Sequence, residues 1–130
     1  MDVLIPADAE QIVYDRLTAA LNATVGATPQ GDTDGPMGLP FVSYEITGGS
    51  RRNVVTDAVL VMVRCYAEKR ADASDLCRHA YGVLMAEQYR PDGKVRKSTS
   101  VGHPVFYPDA ESKIPRYQAS VQWQLRPEIL

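Results

Sequence analysis

The chain has 130 residues, of which 45% are hydrophobic and 23% charged, with a formal net charge of -2. That composition belongs to a single globular domain with one core, not to a disordered chain. It argues against a dedicated nucleic-acid or anionic-membrane binder, which is usually basic. The longest apolar runs fall short of a membrane span, and the N-terminus lacks the pattern of a secretion signal. Two cysteines, Cys65 and Cys77, make no disulfide framework, so a cytosolic chain is expected.

The first element is a helix over about Asp8 to Leu21. Asp8 and Gln11 form a capping-box-like pair, and Ile12, Val13, Leu17 and Leu21 recur at helical spacing. Val25 to Leu39 is rich in Gly, Pro and Asp and reads as a long loop. Phe41 to Thr47 alternates, with Val42, Tyr44 and Ile46 on one face, as in a half-buried strand. Gly48 to Asn53 reads as a hairpin tip. Asp57 to Ala67 is apolar on both faces, which predicts a central strand covered on both sides. Two sources of cover fit: one helix layer plus a neighbouring subunit, or two helices split across the sheet.

A second helix is predicted over about Ala71 to Gln88, capped by Asp72 or Asp75, with Leu76, Ala80, Val83, Leu84 and Glu87 sharing a face. Gly82 inside it costs about 1 kcal/mol relative to Ala, which suggests a close packing contact. Val95 to Tyr107 is a weaker strand that Pro104 assigns to an edge. Pro108 to Pro115 is a second loop. The last strand, Arg116 to Arg126, alternates throughout. Tyr117, Ala119, Val121, Trp123 and Leu125 point one way, and Gln118, Ser120, Gln122 and Gln124 the other. Helix, two strands, helix, two strands predicts an α+β fold: a mainly antiparallel sheet with two helices, in a single domain over residues 1–130.

Catalytic patterns are weak. His79 and His103 are 24 positions apart, and Cys77 and His79 point in different directions on a helix, so metal-ligand spacing is lacking. Ser98, Ser100 and His103 lie close in sequence without a nucleophile motif and read better as a polar edge strand. No Walker or dinucleotide fingerprint occurs. The carboxylate pairs Asp72/Asp75 and Asp109/Glu111 suit helix capping and solvation. Arg51-Arg52 and the run Lys94, Arg96, Lys97 lack interleaved aromatics for base stacking. Neither enzymatic activity nor a cofactor is expected.

The pattern along the whole chain resembles the tail terminator (tail completion) proteins of long-tailed bacteriophages, particularly phages of actinobacteria. The residues that carry the resemblance include the amphipathic helix through Ile12 and Leu17, Leu39-Pro40-Phe41-Val42 opening a strand, and Gly48-Gly49. Asp57 leads a strand into Val63-Arg64-Cys65-Tyr66-Ala67, with a helix over Ala73 to Leu84. Pro108-Asp109, Pro115-Arg116-Tyr117 and the terminal strand ending Leu125-Arg126-Pro127 complete it. The resemblance implies an α+β subunit of a hexameric ring in the virion, assembled in the host cytoplasm. Such a ring stops polymerisation of the tail tube and provides the surface where the head docks. Its partners would be copies of itself, the major tail tube protein and a head-tail connector or neck protein. DNA would pass through the lumen without specific binding, and no membrane is involved. The neighbouring neck proteins, head completion and stopper proteins, are similar in size and role. Arg51 and Arg52, and the uncharged polar set Gln118, Gln122 and Gln124, are the candidate subunit or tube contacts.

Overall fold

The computed structural model describes residues 3–27, 38–53, 55–91, 93–108 and 113–130. The chain runs β1 (Leu4–Ile5), α1 (Ala9–Ala20), β2 (Thr24–Gly26), β3 (Phe41–Asn53), β4 (Thr56–Tyr66) and α2 (Arg70–Ala86). A 3-10 turn (Glu87–Tyr89), β5 (Val95–Phe106), β6 (Arg116–Leu125) and β7 (Glu128–Ile129) follow. The main sheet has the order β2-β3-β4-β6-β5, antiparallel except for the β2–β3 pair, and β1 and β7 form a separate two-stranded clamp. This is the expected α+β domain.

Local chemistry sets the helix ends. The Asp8 carboxylate accepts from the Gln11 backbone N–H at 3.1 Å and caps α1. The Gln11 side chain turns instead to Asp15, at 2.8 Å. Helix α2 starts earlier than expected, with Lys69 at its N-cap and no side-chain cap, so neither Asp72 nor Asp75 takes that role.

Both helices lie on one face of the sheet. Val13 and Leu17 of α1 and Cys77, Ala80 and Leu84 of α2 join one core with Val42, Val61, Val63, Cys65, Val121 and Trp123. Ala73 and Cys77 join Ala80 and Leu84 in the fully buried stripe of α2, and Leu76 and Val83 pack half-buried beside it. Splitting the helices across the sheet is thereby excluded. Gly82 is exposed, and no packed neighbour accounts for it.

The alternation of β6 holds over most of the strand, except that outward-facing Ser120 is buried and inward-facing Tyr117 is only half-buried. Ala119, Val121, Trp123 and Leu125 are buried, while Gln118, Gln122 and Gln124 are half-buried on the other face. Strand β5 is an edge, as Pro104 requires. The short β2 overlaps the start of the stretch expected to be loop, and residues 28–37 and 109–112 of the two loops are outside the described residues.

Gly48 to Asn53 is not a hairpin tip. These residues continue β3 against β4 as far as Asn53↔Thr56, and the register shifts between Thr47 and Gly49. The glycine pair marks a β-bulge, where an extra residue bends the strand. A Cβ on Gly49 would lie 1.9 Å from the Ala58 carbonyl oxygen. Backbone cannot yield by that much, so Gly49→Ala should break the β3–β4 register beyond Thr47. Hydrogen exchange at residues 49–59 should rise sharply in that variant. Gly48→Ala, with open space around its Cβ position, serves as the control and should leave those amides protected.

Candidate interface surfaces

The central strand β4 places two sets of side chains on opposite faces. Its Val61, Val63 and Cys65 meet the helix layer. Its Leu60, Met62 and Arg64 face the other way, and no helix lies over them among the described residues.

Register builds this open face. One row reads Thr47, Leu60, Gln122, Thr99; the next reads Glu45, Met62, Ser120, Gly102. A third reads Ser43, Arg64, Gln118, Val105. The Arg64 guanidinium donates to the Gln118 side-chain oxygen at 3.2 Å and approaches Glu45 at 3.5 Å. Gln124 lies between Ala58 and Lys97. The three candidate glutamines thus share one surface, with half-buried Leu60 and Met62 beside them. Its charges are the Arg64–Glu45 pair and Lys97 at the edge, and between them the face carries Leu60 and Met62 among Thr47, Gln122 and Thr99, a more apolar mixture than a plain solvent face. The Thr47 hydroxyl on this face is buried and lacks a hydrogen-bond partner among the described residues.

Arg51 and Arg52 are neighbours with different roles. The Arg51 guanidinium forks onto the Asp57 carboxylate, Nε to Oδ1 at 2.7 Å and Nη2 to Oδ2 at 3.1 Å. It also reaches the Leu4 carbonyl, tying the terminal clamp to the hairpin. Donating to the Asp57 carboxylate raises the Arg51 pKa above its ordinary value. Asp57 is buried, so Arg51 neutralises a carboxylate that would otherwise be costly to hold in the fold. Arg52 is exposed and makes no ion pair among the described residues. Of these two candidate contact residues, Arg51 serves the fold, and Arg52 alone is left without an ion pair among the described residues. Arg51→Ala should lower the melting temperature measurably, and Arg52→Ala should leave it unchanged.

The groups with catalytic potential are occupied otherwise. The Ser98 hydroxyl donates to the Leu84 carbonyl at 3.0 Å and faces the core, while the His103 ring packs on Tyr81 at 5.2 Å. The buried thiols Cys65 and Cys77 contact each other across β4 and α2. Their hydrogen bond and their burial push the Cys65 thiol well above the usual range, so it stays protonated. Among the described residues, no group of three His, Cys, Asp or Glu side chains comes together as a metal site. Nor is any helix among them long and apolar enough to cross a membrane.

The helical spacing places Glu87 on the core-facing stripe of α2 but gives no sign of the arginines that hold it there. Its carboxylate is fully engaged. Arg16 of α1 donates Nε to both of its oxygens, at 2.9 and 3.1 Å, and Arg90 adds a bond at 3.1 Å. This pairing fastens the 3-10 turn to α1. At the far end of the sheet, Arg70 stacks on Phe106 at 3.9 Å and donates to the Tyr117 hydroxyl at 3.3 Å. That bond holds the Tyr117 phenol below its usual range.

No protein-family model matches the chain, and no curated protein matches it.

Proposed function

We propose that this chain is a ring-forming, non-catalytic assembly subunit at the end of a phage tail tube, which stops tube polymerisation and provides the head-docking surface. The observation that carries the reading is the one-sided sheet. Its helices cover one face, and the other presents Leu60, Met62 and an uncharged glutamine stripe. Half-buried Leu60 and Met62, on a face with no helix over it among the described residues, suit a surface that meets a neighbouring subunit. Arg64 of this face is engaged by Gln118 and Glu45 and Lys97 stands at its edge strand, so the middle of the stripe at Gln122 has no charge of its own to hold passing phosphates. The resemblance along the chain to tail terminator proteins supplies the virion setting, with copies of itself in a hexamer, the tube protein and a neck protein as partners.

Electron microscopy of particles made without this gene tests the proposal. Separate filled heads and overlong tails are expected. Normal tails with leaking heads would instead assign the chain to the neck as a stopper or head completion protein. Intact infectious particles would overturn both.

A further inference from the structure

Two features at opposite ends of the central hairpin complement each other. The first is the tip where β3 turns into β4, past the last β4–β6 pair at Asp57↔Leu125. Arg52 is exposed there without an ion pair among the described residues, and Val55 nearby is 50% exposed. The Asn53 side-chain oxygen accepts from the Val55 N–H at 2.9 Å and holds the turn. The second is a groove of about 620 Å³ between the end of α1 and the start of α2. Leu21, Pro40 and Leu76 supply its apolar lining, and Glu68 and Asp72 its charge. Asp75 beside them is already paired with Arg78, but Glu68 and Asp72 have no cationic partner among the described residues.

The eleven residues of β4, Thr56–Tyr66, separate the tip from the groove. At about 3.3 Å per residue that is roughly 36 Å, so a chain cannot fill its own groove with its own tip. A neighbouring copy can. We infer that the hairpin tip of one subunit docks in the groove of the next, with Val55 on the apolar lining and Arg52 against Glu68 and Asp72. This inference rests on the ring-forming reading and names its subunit contact. A contact between two different patches of one chain is heterologous, the kind that repeats head to tail and closes into a ring. The groove's volume lies within the roughly 300–1,000 Å³ that encloses a compact ligand, which suits a few side chains of a hairpin tip. Arginine serves such a contact well, because its weakly hydrated guanidinium pairs with two carboxylates at once.

The test places a benzoylphenylalanine photo-crosslinker at Val55 of the full chain. Crosslinked peptides are mapped in concentrated protein and in assembled particles. Crosslinks to a second copy within residues 20–22, 39–40 or 67–79 are expected. Arg52→Glu should cut their yield by about tenfold or more, since like charges juxtaposed across an interface are strongly disfavoured. Adding Asp72→Arg to that variant should restore the yield, a rescue that general loss of folding cannot mimic. Crosslinks to another region of a second copy, or to a different protein, would overturn the docking and leave the ring reading standing. If no crosslink joins two copies and particles show no ring at the tube end, both fail.

Discussion

Trp123→Ala is expected to destabilise the chain by about 3–5 kcal/mol, enough to unfold most of a domain of ordinary stability. Trp123 is the largest fully buried side chain among the described residues and lies near the end of β6, against α2. Its removal opens a cavity that the sheet and α2 can only partly collapse around. A polar loss adds to this. The indole N–H donates to the Leu84 carbonyl at 3.0 Å, and the Ser98 hydroxyl shares that acceptor. Leu84 stands in the last turn of α2, where carbonyls lack helical partners and must find others. Trp123→Phe keeps most of the volume and loses the donor, so it should cost distinctly less. Urea titration followed by circular dichroism measures both, because the chain has no other tryptophan to report by fluorescence. A Trp123→Ala variant as stable as the parent would show that the helix layer does not depend on this anchor.

Elements whose side chains repeat over many residues were legible in the sequence. The ten residues of β6 alternate without a break, and the helix stripes run for three turns or more. Short elements were not. Strand β2 has three residues and is specified by its pairing with Phe41–Ser43, not by any period of its own. Strands β1 and β7 have two residues each and exist because the two ends of the chain meet. A glycine pair ordinarily marks a turn, so Gly48-Gly49 read as a tip; its true cause is Ala58, nine positions on, pressing against the strand. The same holds for function. The polar face of β6 was legible, but its apolar neighbours Leu60 and Met62 are placed beside it only by the β4–β6 register. Arg51 and Arg52 look alike in sequence. Only the hairpin register, which sets Arg51 opposite Asp57, separates a fold residue from a free one.

On the proposed reading, a single charge on the open face should abolish assembly or passage of DNA, and its sign tells which. Gln122 is the position to change. It lies between Leu60 and Thr99, away from existing charges, and its truncation or extension leaves the buried set of β6 untouched. Gln124 is a poorer choice, because it faces Lys97, and a second lysine directly opposite would destabilise the pair by up to about 1 kcal/mol. If the face is buried between subunits, Gln122→Lys and Gln122→Glu both leave an unpaired charge away from water, and both should prevent ring formation. If it lines the lumen, neither charge is desolvated. Lysine then holds the passing phosphates and glutamate does not, so only Gln122→Lys should lose infectivity, from particles that still assemble. Thermal melts of the free protein supply the control, since a half-buried position on an open sheet face should tolerate either charge in the folded monomer. Full infectivity from both folded variants would show that this face meets neither a neighbour nor DNA, and would remove the main support for the proposed ring.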